Sequence, residues 1–85
     1  MKFNLNRNMF NVLKENVTDA IKYLLEIQED NQINFNIKDE DVLEVQLLIN
    51  DEIVLHGMNN QDTVNDLGLK LYKLYDEILY QKNNQ

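Results

Sequence analysis

The chain has 85 residues, 44% of them hydrophobic, and a formal net charge of -7 from 15 acidic and 8 basic side chains. This length allows one domain with a thin core, and the lack of cysteine excludes disulfides and thiolate chemistry. The negative charge disfavours direct binding to nucleic acid or to anionic membranes, because both kinds of binding depend on lysine and arginine.

The first long pattern predicts an amphipathic helix over residues 8 to 28. Apolar side chains recur there at spacings of three and four residues, from Phe10 to Ile27. Either Asn6 or Asn8 can cap the start of this helix, because an Asn side chain accepts a hydrogen bond from the first turn. Before it, the alternation of apolar and polar side chains leaves a short strand open over residues 2 to 6.

Three strands are predicted in the middle of the chain. Residues 33 to 37 alternate strictly between apolar and polar side chains, which is typical of a half-buried strand. Two further apolar runs cover residues 43 to 49 and 53 to 56, and Asn50-Asp51-Glu52 lies between them. A three-residue loop at this point keeps the apolar residues of the resulting hairpin on one face.

A second helix is predicted over residues 63 to 81. Its start, Thr63-Val64-Asn65-Asp66, has the form of a capping box. Gly68 lies inside the helical pattern, and a glycine at such a position indicates a close approach of the helix to the sheet. Residues 82 to 85 are polar and predict a frayed tail.

The order helix, three strands, helix predicts an α+β fold (αβββα) in a single domain spanning residues 1 to 85. We expect a two-layer sandwich in which both helices cover one face of a three-stranded antiparallel meander. The other face of the sheet is then polar, and it carries His56.

No residue set in the chain points to catalysis or to a bound cofactor or metal. There is no Ser or Cys, His56 is the only imidazole, and two glycines cannot form a phosphate-binding loop. We therefore predict a protein that is not an enzyme and that has no catalytic residues, cofactor or metal site. No signal peptide or long apolar segment is present, so a cytoplasmic location is expected.

Acidic residues are concentrated between residues 26 and 52. This segment contains nine carboxylates and a single basic residue, Lys38, so its net charge is -8. In the predicted meander they gather at the two ends of the sheet. One end holds Glu29, Asp30, Asp51 and Glu52, and the other holds Asp39, Glu40, Asp41 and Asp62. Two interpretations stay open: the carboxylates keep the domain soluble and protect its sheet edges, or they form a site that attracts a basic partner.

A second candidate surface is apolar and aromatic. In the predicted hairpin, Leu48 and Val54 face each other on the side of the sheet away from the helices. Leu69, Tyr72 and Tyr80 flank the inward stripe of the second helix, and tyrosine is frequent on half-wet binding surfaces. These five residues predict a face for a protein partner or for a second copy of the chain.

These observations favour a non-enzymatic acidic protein-interaction module. In size, acidity and predicted element order, the chain resembles some anti-CRISPR and related host-takeover proteins. The resemblance implies a small phage or mobile-element inhibitor, anti-CRISPR-like or anti-restriction-like, that mimics nucleic acid and occupies a basic groove of a DNA-binding host enzyme. The alternative is a small homodimeric assembly or scaffold protein.

Overall fold

A computed structural model describes residues 1–59 and 63–85, so the prediction for Asp62 lies outside the described residues. The chain is an α+β protein, as predicted. In chain order, the larger elements are β1 (Lys2–Leu5), α1 (Arg7–Asn16), β2 (Leu25–Glu29), β3 (Ile33–Asn36), α2 (Val42–His56), β4 (Met58–Asn59), β5 (Thr63–Val64) and α3 (Asp66–Asn83). Turns of 3₁₀ helix at Thr18–Tyr23 and Asp39–Asp41 precede β2 and α2, respectively.

The predicted three-stranded antiparallel sheet is present, and its strand order is β1-β3-β2. Residues 33 to 36 form the central strand with the predicted alternation: Ile33 and Phe35 are buried, whereas Asn34 and Asn36 lie on the open side. β1, left open by the sequence, pairs with β3 along its whole length. The strand order differs from the predicted meander, because β1 occupies the position beside β3 that was predicted for residues 43 to 49.

Residues 43 to 56 were predicted as a hairpin, and this prediction is wrong because they belong to helix α2. The segment has fifteen residues without Gly or Pro, and that length favours a helix over a strand. Its buried residues recur at helical spacing: Val42, Val45, Gln46, Ile49 and Ile53. The predicted loop Asn50-Asp51-Glu52 is therefore one turn of this helix.

The helix predicted over residues 8 to 28 is shorter, because α1 ends at Asn16. The Asn6 side chain accepts a 2.8 Å hydrogen bond from the Met9 backbone N–H, so Asn6 is the cap. Val17 leaves the helical conformation with φ -115°, and the 3₁₀ turn follows. Two consecutive β-branched residues, Val17 and Thr18, have low helix propensity and favour this end.

α3 begins later than predicted, because Asn65 and not Thr63 is its cap. The Asn65 side chain accepts a 2.8 Å hydrogen bond from Gly68 N–H. The helix extends to Asn83, and the Gln85 side chain bonds to the backbone of Lys2. The predicted frayed tail is therefore wrong, since the end of the chain is held against β1.

The core lies between the inner face of the sheet and the helices. Phe35 stacks with Phe3 at a ring-centroid distance of 5.9 Å and contacts Phe10 of α1 at 6.2 Å. α1 and α3 both contact β1, whereas α2 packs against α3 and the 3₁₀ turn Thr18–Tyr23. Among residues 1–59 and 63–85, no helix has the length and apolarity required to cross a membrane.

Gly68 marks the closest approach in the fold, but to α2 and not to the sheet as predicted. A Cβ atom on Gly68 would overlap the carbonyl oxygen of Gly57, which ends α2. A Cβ on Gly57 would in turn lie 2.9 Å from the Cα of Gly68. The two helices therefore meet backbone to backbone, and β4 and β5 form the short antiparallel ribbon that connects them.

Candidate functional site

Helix α2 carries apolar side chains on two faces, of which only one is buried. Leu43, Leu47 and Val54 recur at spacings of four and seven residues, which places them in a stripe about 120° around the helix from the buried residues. Their relative exposures are 58%, 48% and 65%. A helix that is apolar on both faces is normally covered on both, so this exposed stripe is a candidate binding surface.

Two carboxylates border the stripe. Leu47 lies three residues after Glu44 and four residues before Asp51, so these side chains are its neighbours on the helix surface. Leu55 follows Asp51 by one turn and is 70% exposed. We define the acidic-apolar face of α2 as Leu43, Glu44, Leu47, Asp51, Val54 and Leu55.

Three more carboxylates, Asp39, Glu40 and Asp41, form the turn that leads into α2. Their negative charge is favourable next to the N-terminal end of a helix, where the macrodipole is positive. Asp39 also accepts a 3.0 Å hydrogen bond from the amino group of Met1. Within the described residues, Glu40 and Asp41 form no ion pair, so they add to the negative potential at this end of α2.

The remaining predicted acidic residues do not gather as expected. Glu29 and Asp30 lie at the β2–β3 turn, where Arg7 contacts the Glu29 carboxylate at 3.5 Å and donates to the Asp30 carbonyl oxygen at 3.3 Å. Asp51 and Glu52 lie on α2 and not in a loop at that end of the sheet. The predicted grouping at two sheet ends is therefore wrong, because it depended on a hairpin that the chain does not form.

The predicted pairing of Leu48 with Val54 is also wrong. Both residues lie on α2, but six positions along a helix turn the side chains about 120° apart. Leu48 is half-buried against the core, whereas Val54 points outward. Leu69, Tyr72 and Tyr80 are exposed on α3, and their role in binding a partner stays a prediction.

His56 was expected on the open face of a strand, but it lies in the last turn of α2. Its Nδ1 atom is 2.7 Å from a carboxylate oxygen of Glu52, one turn earlier. Both groups are on the surface, and the contact is a local helix pair. Across residues 1–59 and 63–85, no three His, Cys, Asp or Glu side chains are grouped so that they could hold a metal ion.

The open face of the sheet is lined by polar side chains. A shallow groove of about 380 Å³ lies there, and its polar lining consists of Lys2, Asn4, Glu26, Gln28, Asn34 and Asn36. Glu26 has a positive φ of 53°, and its carboxylate accepts a 2.9 Å hydrogen bond from the Asn36 side chain. Phe3 and Phe35 also line this groove, but both side chains are buried, so its exposed side chains offer mainly hydrogen bonds.

Sequence reasoning missed four of the six residues of the acidic-apolar face. Leu43, Leu47 and Leu55 were placed on the core side of a hairpin, and Glu44 on its polar side. The signal that could have identified them is the spacing of Leu43, Leu47 and Val54, which fits a helix as well as it fits two short strands.

Comparison with known proteins adds no relative to this picture. No family model matches the chain, and no significant match is found among curated proteins or solved structures.

Proposed function

We propose that this protein is a non-enzymatic interaction module that binds a basic protein surface through the acidic-apolar face of α2. The observation that supports the proposal is the uncovered stripe of Leu43, Leu47 and Val54. Glu44 and Asp51 border it on one side and form no ion pair within the described residues. Apolar contact supplies the affinity of such a face, and its charge sets the encounter rate and the choice of partner.

The apolar contribution to the binding free energy can be judged from how exposed these side chains are. Fully burying a leucine or valine is worth about 1.5–3 kcal/mol, and these side chains are still about half exposed. Covering Leu43, Leu47, Val54 and Leu55 would therefore contribute on the order of 1 kcal/mol each. That is enough for recognition when the partner adds further contacts, and too little for tight binding by the stripe alone.

Charge decides between partners. Two copies joined through this face would bring Glu44 and Asp51 close to their counterparts, and both chains carry -7. Like charges at an interface cost several kcal/mol. A partner surface with an apolar centre surrounded by lysine or arginine would cover the exposed leucines and also pair with the carboxylates of the acidic-apolar face.

The most concrete form of the proposal is a small inhibitor, encoded by a phage or mobile element and acting in the cytoplasm. It places carboxylates where a DNA-binding enzyme normally holds phosphates. Glu40, Asp41, Glu44 and Asp51 lie within twelve residues, and none is paired within the described chain. A nucleic-acid groove is basic by necessity, which makes it a suitable target for this face.

The proposal is tested with a synthetic amphipathic helix of leucine and lysine, titrated into the protein by calorimetry at low and high salt. We expect binding that weakens with salt, falls at least tenfold in Leu47→Asp, and falls less in Glu44→Gln. Leu69→Asp is the matched control, because it adds the same charge at an exposed position of α3. Equal affinity of Leu47→Asp and the unmodified protein would remove the face from the mechanism.

The inhibitor form needs a second measurement. A purified DNA nuclease is bound to a fluorescent duplex, and the protein is added. Release of the duplex by the unmodified protein, and weaker release by Glu44→Gln combined with Asp51→Gln, would support mimicry. If the protein binds the leucine-lysine helix but releases DNA from none of a panel of such enzymes, it is an interaction module of another kind.

A homodimeric assembly is the second candidate, and the exposure of Leu69, Tyr72 and Tyr80 on α3 favours it. This surface is on α3, whereas the acidic-apolar face is on α2. Light scattering distinguishes the two candidates. A dimer that persists at high salt and dissociates in Tyr72→Ala would support assembly, whereas a monomer at all concentrations would exclude it.

A further inference from the structure

The two outer edges of the sheet differ in whether other parts of the chain cover their backbone groups. Gln81 of α3 and Gln85, two residues after the end of that helix, occupy the outer edge of β1 as a neighbouring strand would. Gln81 accepts from Asn4 N–H at 2.9 Å and donates to the Asn4 carbonyl at 2.7 Å. Gln85 makes the same pair of bonds with Lys2, one strand repeat away. The two glutamine side chains thus bond to two residues of β1 that are one strand repeat apart, and this edge is closed.

The outer edge of β2 has no such cover. All five residues, Leu25–Glu29, are exposed, and β3 is the element that β2 packs against. Gln28 pairs with Asn34 of β3, and the alternation of an antiparallel ladder directs the backbone of Ile27 and Glu29 the other way. Among the described residues, no hydrogen bond reaches the backbone of Ile27 or Glu29 from outside the sheet.

The side chains of β2 are uncovered as well. Leu25 and Ile27 are 39% and 42% exposed, and the helices of the core do not extend over this strand. Open backbone groups next to uncovered apolar side chains are what a strand-addition site presents: main-chain bonds give affinity, and alternate side chains give specificity.

We propose that β2 accepts an added β-strand from a basic extended segment of a partner protein. Glu26, Glu29 and Asp30 lie along or just after this edge, and Arg7 pairs with Glu29. A net negative charge remains, so the incoming strand is one in which lysine or arginine alternates with β-branched residues. A second copy of β2 is the wrong occupant, because it would bring these carboxylates against their own copies.

The bulge in β2 limits where the added strand pairs. Two residues, Glu26 and Ile27, oppose Phe35, and the left-handed backbone of Glu26 interrupts the ladder there. Regular geometry is available from Ile27 to Glu29. The added strand therefore bonds to a short segment, and its affinity is modest.

The test uses a blocked eight-residue peptide that alternates valine with lysine. Amide chemical shifts and hydrogen exchange of the labelled protein are followed by NMR. We expect binding, with slowed exchange at Ile27 and Glu29 and no change at Lys2 and Asn4. The same peptide N-methylated at its two central peptide groups keeps its charge but loses main-chain bonds on both edges, and we expect it to bind at least tenfold more weakly.

Two variants complete the test. Glu29→Pro removes an outward N–H that does not serve the ladder and should lower affinity at least tenfold relative to Glu29→Val, the matched control, which loses the same carboxylate but keeps the N–H. Leu47→Asp should leave this binding unchanged, so failure of the α2 proposal and failure of strand addition give different results. Equal binding of the methylated peptide, shifts confined to α2, or no binding of the unmethylated peptide would overturn the inference.

Discussion

Replacing Gly68 with alanine tests the helix crossing on which the fold depends. Alanine is favoured over glycine within a helix by about 1 kcal/mol, so a surface glycine at this position would gain stability. Here the added Cβ overlaps the Gly57 carbonyl oxygen and lies 2.6 Å from Cγ1 of Val64. Overpacking of this kind costs about 1–3 kcal/mol.

A further loss follows if the helices separate to relieve the overlap. The Gly57 carbonyl also accepts a 2.9 Å hydrogen bond from Asn65 N–H, and losing such a bond costs about 0.5–1.5 kcal/mol. After the helix preference for alanine is subtracted, the net expectation for Gly68→Ala is a loss of about 0.5–3.5 kcal/mol, centred near 2 kcal/mol, in the free energy of unfolding. In a domain of this size a loss of about 2 kcal/mol lowers Tm by roughly 8–16 °C.

Urea and thermal unfolding followed by circular dichroism measure this loss. Leu69→Ala is the control, because it changes the adjacent, exposed residue of the same helix and should shift stability by less than about 0.5 kcal/mol. If Gly68→Ala unfolds at the same or a higher temperature than the unmodified protein, the close contact between Gly57 and Gly68 does not exist in solution.

Three further substitutions test other contacts. Asn65→Ala removes the cap of α3 and its 3.0 Å bond to the His56 carbonyl, so it should cost about 1–2 kcal/mol in urea unfolding; a loss below a few tenths would contradict the cap. Gln81→Ala opens the edge of β1, and we expect a loss of about 1 kcal/mol with faster hydrogen exchange at Asn4; unchanged exchange would show that the glutamine does not close the edge. Glu26→Gly should raise stability by up to about 1 kcal/mol because glycine tolerates positive φ, whereas Glu26→Ala should not; an equal effect of both would argue against the left-handed backbone.

The elements that were predicted correctly from the sequence are those whose apolar residues recur with a single clear period. Ile33 to Asn36 alternates with period two and lies in the middle of the sheet, and Phe10 and Leu13 mark the buried face of α1. The first helix was extended too far because Val17, Ala20 and Leu24 stay buried through the 3₁₀ turn at spacings of three and four. A 3₁₀ turn repeats every three residues, so it continues the apolar pattern of an α-helix after the helix itself has ended.

The site was harder to predict than the core, because its residues look like core residues. Gln81 and Gln85 show the same difficulty for polar side chains. A tail of Gln, Lys and Asn has the composition of a frayed end. Its two glutamines cover the edge of β1 only because the fold brings that strand next to them. Contacts between residues about 80 positions apart leave no local pattern to detect.

The error at residues 43 to 56 and the proposal for α2 have the same physical origin. A helix with one buried face shows a clear 3.6-residue period, but α2 has leucine and valine on its outward face as well, which obscures that period. The resulting apolar runs favoured two strands around Asn50-Asp51-Glu52. Solvent-facing leucines add little to the stability of an isolated domain, so the residues that obscured the helix are the ones that the proposed partner would cover. If Leu43→Lys combined with Leu47→Lys leaves stability, solubility and binding to the leucine-lysine helix unchanged, that explanation fails.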